Sequence, residues 1–353
     1  MDILTYIRFK MSNQESFIEV LPINETNGIY FFRHMGEFHI HSLIGEGKFS
    51  QVFRAIPKKT ADSENSKIFN CTIKICRKYN LVKNNAISIS PRNILFHEVS
   101  ELHLLQKINS IGSPNLIQMY DWAIDRKTCE LRILMEYMPC DMRNYFSNPQ
   151  HLSALTENSL KKLTRQILLG LNALHKSRII HFDLKPENIL LDPEKNLVKI
   201  TDFTVSQFIT YDLDKEVLTN GGTYPYMPLE GLFDTKKCGF SYDIWSLGII
   251  LFELCCRKLP FEGNDAKTLI KNILSVFELD NIQSLTSYLD YCKNGKFIKK
   301  GKEKIGNYLK MNTKIVFIND DGCDLISRML CINPEYRITA EEALKHPWLA
   351  NLD

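Results

Sequence analysis

Along the chain the spacing of apolar residues switches repeatedly between the period of a strand and that of a helix. From Phe38 the stretch FHIHSLIGEGKFSQVFRAI alternates apolar and polar positions and is broken by Gly45 and Gly47, which predicts two strands joined by a glycine turn. KIFNCTIKICRK follows, where Ile68, Cys71, Ile73 and Ile75 predict a buried strand that carries Lys74 inside it. Residues 76–93, rich in Lys, Asn and Ser, read as a loop insertion. Ile94, Val99, Leu102, Leu105 and Ile108 then fall at helical spacing. LRILME predicts a strand ending near Met135, and Glu136, Tyr137 and Met138 begin a connector. Thr156 to Lys176 has an apolar face of Leu160, Leu163, Ile167, Leu171 and Leu174, with Thr156 as its N-cap. Ile179 to Leu191, IIHFDLKPENILL, is apolar, then polar, then apolar, the pattern of a short loop between two buried segments. SYDIWSLGIILFELCC is apolar all round, which predicts a fully buried helix.

Composition narrows the class. The chain has 353 residues, 44% hydrophobic and 24% charged, enough for two domains or one two-lobed domain with a large core. A net charge of +3 gives no strongly basic face for nucleic acid. The ten cysteines include no C-x-x-C, and Cys255 and Cys256 adjoin inside an apolar run, so they read as reduced core residues. The run Leu247 to Cys256 carries Glu253 and is too short to cross a bilayer, and the N-terminus does not resemble a secretory signal. The expected compartment is the cytoplasm, or the nucleus. Residues 1–37 have no clear period, but Tyr30, Phe31 and Phe32 favour packing over disorder.

The candidate chemistry sits in the 179–191 loop. Asp183, Lys185 and Asn188 bring together a proton acceptor, a cation and an amide, held close by Pro186. Gly45 and Gly47 at a strand turn would let backbone amides approach phosphate oxygens, although a plain hairpin turn uses the same residues. A dinucleotide site would need a helix after the glycines, and QVFRAI reads as a strand. Lys74 in a buried strand needs a partner, and Glu101 and Glu98 on the following helix compete for it.

HFDLKPEN resembles the catalytic loop H-R-D-L-K-P-E-N of eukaryotic protein kinases, and six more kinase-like elements surround it in kinase order. The resemblance covers about residues 38–349 and implies an α+β, two-lobed protein kinase fold. A small β-rich N-lobe with helix C would span about 38–137 and a larger, mainly helical C-lobe about 138–349, with an insertion at about 280–320. Residues 1–37 would be an N-terminal extension and 350–353 a short tail, with no autoinhibitory or calmodulin-binding segment after the domain. The activation segment and closing sequence most resemble calcium/calmodulin-dependent kinases or their upstream kinases.

The resemblance implies ATP and Mg²⁺ bound between the lobes and transfer of the γ-phosphoryl group to a Ser or Thr of a protein substrate. Ile44, Gly45, Glu46, Gly47, Lys48, Phe49 and Ser50 would belong to the Gly-rich loop, with Phe49 at its tip and Ser50 in place of a third glycine, and Val52 would lie over the adenine. Lys74 would hold the α- and β-phosphates and pair with Glu101, Glu98 being the second choice. Glu136 and Met138 would bond adenine through their backbones, and Met135 would guard the pocket. Asp141 would contact ribose or simply cap a helix. Asp183 would accept the hydroxyl proton, Lys185 would meet the γ-phosphate, and Asn188 and Asp202 would hold the metal. Thr223 would bond the Asp183–Lys185 pair, as in Ser/Thr kinases, and Glu187 resembles an acid that some kinases use to read substrate arginine. Asp243 would bond loop amides and Glu230 would pair with Arg337.

Three departures matter. Phe182 stands where most kinases have Arg, so ordering of the activation segment by its own phosphorylation should be weak, leaving packing or a partner to do it. Thr210, Tyr211, Thr219 and Tyr224 are the candidate phosphosites. Thr204 replaces the glycine of D-F-G, which should make a flip of Phe203 harder. Pro228, Leu229 and Glu230 stand for A-P-E. These departures keep a pseudokinase scaffold as the alternative, while the GGTYPYMPLE segment disfavours a small-molecule kinase. The basic run KFIKKGKEK is a candidate docking surface for a regulatory protein partner; neither nucleic acid nor membrane is expected.

Overall fold

The computed structural model describes residues 29–32, 35–46, 50–58, 70–76, 96–124, 130–209, 222–233, 238–277, 318–350 and 352. The chain divides into two compact units, one of residues 1–110 and 117–137, the other of residues 111–116 and 138–353.

The first unit is an antiparallel sheet with one helix. Its strands are Ile29–Phe32 (β1), Gly36–Glu46 (β2), Ser50–Pro57 (β3), Cys71–Cys76 (β4), Met119–Ile124 (β5) and Leu131–Glu136 (β6), in the spatial order β1-β2-β3-β4-β6-β5. The helix is Phe96–Ile111 (α1), three residues longer at its C-terminal end than the apolar spacing predicts. β4 has both neighbours in the sheet, and all six of its residues are buried. A strand covered on both faces has no polar side to show, which is why CTIKIC does not alternate cleanly. Phe32, Phe38, Ala55, Cys71, Ile73, Ile75 and Leu134 form the core of this sheet. Phe32 meets Phe38 edge to face and Tyr30 packs against the same core, the packing expected of that segment; the side chain of Phe31 lies outside the described residues.

In the second unit helices dominate. After the short strand Cys140–Asp141 (β7) come helices Met142–Ser147 (α2), Pro149–Ser153 (α3) and Glu157–Lys176 (α4). Short strands follow at Ile179–Ile180 (β8), Ile189–Asp192 (β9), Leu197–Ile200 (β10) and Gln207–Phe208 (β11). Then come helices Leu229–Leu232 (α5), Ser241–Cys256 (α6), Ala266–Val276 (α7), Asp320–Met329 (α8) and Ala340–Leu344 (α9). Thr156 caps α4 through a reciprocal pair with Ser159, and the predicted leucines and Ile167 are its buried face. α6 is the axle of this unit: only Ser241 and Glu253 along it are not buried. An all-apolar helix needs cover on every side, and the rest of the unit supplies it.

Gly170 shows how closely α4 is covered. A Cβ there would stand 2.9 Å from the Asn115 carbonyl oxygen and 3.0 Å from Ile200 Cδ1. The same approach lets the Asn115 oxygen accept from the Ile200 amide, which fixes β10 and the residues that follow it.

Candidate active site

The first unit positions one buried cation. Lys74 lies mid-β4, opposite Val52 of β3 and Ile133 of β6. Its Nζ donates to Glu101 Oε1 at 2.5 Å, with the side chains 8% and 4% exposed. Of the two acids that competed in the sequence, Glu101 is the partner; the side chain of Glu98 lies outside the described residues. A lysine on a central strand is tolerated because this carboxylate compensates its charge.

Part of the glycine turn is described. Gly45 sits opposite Val52 and Glu46 opposite Gln51, with a register irregularity between Leu43 and Gly45 that takes in the exposed Ile44. A Cβ at Gly45 would meet Val52 at an ordinary 3.7 Å, so packing does not require glycine at this position. Ser50 opens β3 opposite Cys76. Gly47, Lys48 and Phe49 lie outside the described residues, as do Thr210, Tyr211, Thr219 and most of the 76–93 and 280–320 stretches. Met135 is buried, opposite Thr72. The Glu136 carboxylate accepts from the Gln118 amide at 2.7 Å. Met138 is buried in the second unit. Asp141 caps α2, accepting from the Asn144 amide at 2.8 Å.

Within the second unit the 181–188 loop makes a closed polar cluster. Lys185 Nζ donates to Asp183 Oδ2 at 2.6 Å and to Thr223 Oγ1 at 3.0 Å. The Thr223 hydroxyl donates to Asp183 Oδ1 at 2.8 Å. Asn188 Nδ2 donates to the Asp183 carbonyl at 2.8 Å, and the Asn188 carbonyl accepts from the Thr201 amide at 3.0 Å. Both carboxylate oxygens of Asp183 are thereby aimed, while its side chain keeps 14% exposure. From beneath, Asp243 of α6 accepts from the backbone amides of His181 and Phe182, each at 3.0 Å, and contacts His175 Nε2 at 2.9 Å. A completely buried aspartate thus carries the loop that holds a partly open one. Glu230 and Arg337 pair at 2.7 Å, also buried.

The departures are accommodated. Phe182 takes a left-handed φ of 65°, costly for an aromatic residue, and is held by the Asp243 bond and by packing. Its ring is 1% exposed, meets Tyr242 edge to face, and clusters with Ile180, Ile209, Met227 and Cys238. Ile209 and Met227, which stand before and after the stretch 210–221, belong to the same apolar cluster as Phe182. Gly222 runs past this cluster with φ +135°, where a Cβ would come within 2.8 Å of the Tyr242 hydroxyl and 3.2 Å of the Phe182 carbonyl. Thr204 has no left-handed backbone; that conformation falls on Asp202, with φ 63°. The Thr204 hydroxyl donates to Asp202 Oδ1 at 2.6 Å, and Phe203 is completely buried against His181.

The donors at 188 and 202 suit a small hard cation. The Asn188 amide nitrogen faces Asp183, which turns its carbonyl oxygen the other way, and Asp202 supplies carboxylate oxygens. Mg²⁺ takes few protein oxygens when phosphate supplies the rest, so two residues suffice.

One group beside the loop was missed in the sequence, where Glu187 alone was noted. Arg143 of α2 donates to Glu187 Oε1 at 3.0 Å, to Glu253 Oε1 at 2.6 Å and to the Tyr226 hydroxyl. Tyr226 in turn donates to Glu253 Oε2 at 2.8 Å. Burial, then the neighbouring Glu253 charge, pushes the Tyr226 hydroxyl well above its ordinary pKa, so it stays protonated. These partners are separated by 44, 83 and 110 positions, and no local spacing announces them.

Comparison with known proteins agrees with this geometry. The protein kinase domain family matches residues 38–349. Cell division control protein 2 homolog 2 of Trypanosoma brucei brucei is 30% identical over 254 residues, 71% of this chain and 69% of that protein. The SNF-related serine/threonine-protein kinase of Homo sapiens is 32% identical over 73% of this chain, which spans only 28% of that protein. In fold, a chain of the CAK complex of Chaetomium thermophilum bound to ATP-γ-S superposes with a TM-score of 0.69 at 23% identity, covering 88% of this chain and 90% of that one. The chain belongs to the protein kinase family, with the two-lobed kinase fold, and is a protein kinase of the serine/threonine type.

Proposed function

We propose that the chain transfers the γ-phosphoryl group of Mg·ATP to a serine or threonine hydroxyl of a protein. The observation that carries this reading is the cluster around Asp183. An acceptor hydroxyl loses its proton as it attacks, and Asp183 offers a carboxylate whose two oxygens are already oriented by Lys185 and Thr223. Lys185 stands at that carboxylate, where the negative charge of the transferring group would develop. Asn188 and Asp202 would hold Mg²⁺, which supplies charge neutralisation when bound. Lys74, steadied by Glu101, would hold the α- and β-phosphates. Ile44, Gly45, Glu46, Gly47, Lys48, Phe49 and Ser50 would cover the phosphates, Val52 would lie over the adenine, and the backbones of Glu136 and Met138 would bond it.

The cysteine usage supports the cytoplasm or nucleus as the compartment, and the basic 296–304 run is the candidate contact for an acidic regulatory protein. The test is transfer of labelled γ-phosphate from Mg·ATP to a mixed Ser/Thr peptide library. Asp183→Asn should lower kcat by about 10²- to 10⁴-fold while ATP binding persists. Equal transfer by both proteins would remove Asp183 from the mechanism.

A further inference from the structure

The acidic site beside the catalytic loop is filled by the protein's own arginine, and this bears on which peptides the kinase accepts. Glu187 follows Pro186 in the same loop as Asp183 and precedes Asn188, which bonds the Asp183 carbonyl. Its Cα is four residues from that of Asp183, at most ~15 Å along the chain and less because residues 186–188 form a tight turn. Tyr226 stands three residues after Thr223, whose hydroxyl bonds Asp183. An extended peptide advances ~3.3 Å per residue, so with its acceptor at Asp183 the side chains a few places away pass this group.

Two carboxylates and one neutral phenol here converge on a single guanidinium. Arg143 uses three of its nitrogens on them, the fork geometry that matches carboxylates best. The arrangement reaches solvent: the side chains of Arg143 and Glu187 are 40% and 45% exposed and Glu253 is 18% exposed. The two negative charges are met by one positive charge already in place. An arriving substrate arginine would have to displace Arg143 or settle for the one oxygen of Glu187 that Arg143 does not bond, without the fork geometry the pair of carboxylates offers.

We propose that Arg143 is a specificity-determining residue, an internal occupant of a guanidinium site at the edge of the peptide-binding surface, which makes the kinase indifferent to arginine flanking its acceptor. The proposal rests on the kinase reading above. Removing Arg143 would leave two carboxylates and a phenol shaped around a vacated guanidinium, and convert the enzyme into one that prefers arginine.

The experiment uses the full chain and one neutral Ser peptide, with alanine replaced by arginine at each of the three positions on either side of the acceptor. kcat/KM for transfer is measured for each, and binding of the same labelled peptides is followed by fluorescence anisotropy. For the wild type, arginine should change kcat/KM less than about threefold at every position. In Arg143→Ala, arginine at one position should gain about tenfold or more in both readouts. Adding Glu253→Gln should return the ratio to that of the wild type, and millimolar methylguanidine should compete the gain away. Arg143→Met keeps the packed stem and replaces the alanine variant if melting shows that the latter does not fold. A tenfold arginine preference already present in the wild type, or unchanged ratios in both variants, overturns the proposal. Absence of transfer to the neutral peptide by the wild type would instead strike the kinase reading, while anisotropy still reports whether arginine enters the opened site.

Discussion

Two buried acid–base pairs, one in each unit, are built on different terms. In the second unit Arg337 spreads its fork over Glu230, the carbonyls of Cys331 and Ser241, and the ring of Trp245. Its side chain has no exposure at all, and that of Glu230 has 3%. In the first unit Lys74 meets Glu101 with a compact ammonium at the end of a flexible stem. A guanidinium satisfied by fixed carbonyls belongs to the fold, since moving it would strip several groups of their partners. An ammonium on a flexible stem can hold a carboxylate and still present charge to an anion. Similar burial therefore does not mean equal purpose: Arg337 ties the loop after α8 to α5 and to the start of α6, whereas Lys74 holds a charge in readiness.

That distinction can be broken by mutation. Arg337→Met should show the largest effect, a loss of about 3–5 kcal/mol of stability, because it leaves Glu230 buried and unpaired. Thermal or urea unfolding measures it, and an unchanged midpoint would place the pair among the dispensable ones. Lys74→Met should instead appear in catalysis, as a fall of about 100-fold or more in kcat/KM, the scale of removing one charge-stabilising donor. If its kcat/KM fell only in step with a loss of folded protein, the two pairs would be alike. The smallest effect is expected at the apolar anchor. Phe182→Leu keeps the cluster hydrophobic but forfeits the edge-to-face contact with Tyr242, for about 1 kcal/mol. Limited proteolysis within 210–221 should rise in the same variant, since Phe182 shares its apolar cluster with Ile209 and Met227 on either side of that stretch.

How much of the site could be read beforehand depended on how far apart its parts lie in sequence. Asp183, Lys185 and Asn188 fall within six residues, and Pro186 keeps them close whatever surrounds them. Thr156 and Ser159 cap α4 by a rule that acts across one helical turn. Lys74 declared its need for a partner by being a charge in an apolar strand; the family resemblance put Glu101 ahead of Glu98, and the geometry has Glu101. Thr204 was harder. As the residue in glycine's place it was expected to make a flip of Phe203 harder; the structure adds that the left-handed angle falls on Asp202 and that the threonine hydroxyl bonds that residue's carboxylate.

Local period and residue type were enough for β2 to β4, α1, α4 and α6, for the polar loop at 181–188, for the lysine in the central strand and for the departure at Phe182; the strands Ile29–Phe32 and Met119–Ile124 were not legible that way. What Phe182 packs against, and that Arg143 closes the site formed by Glu187 and Glu253, came from the packed chain alone. Those outcomes join residues up to 110 positions apart. A guanidinium chooses among distant carboxylates by the geometry the assembled core imposes, and that geometry exists only once α2, α6 and the catalytic loop have packed.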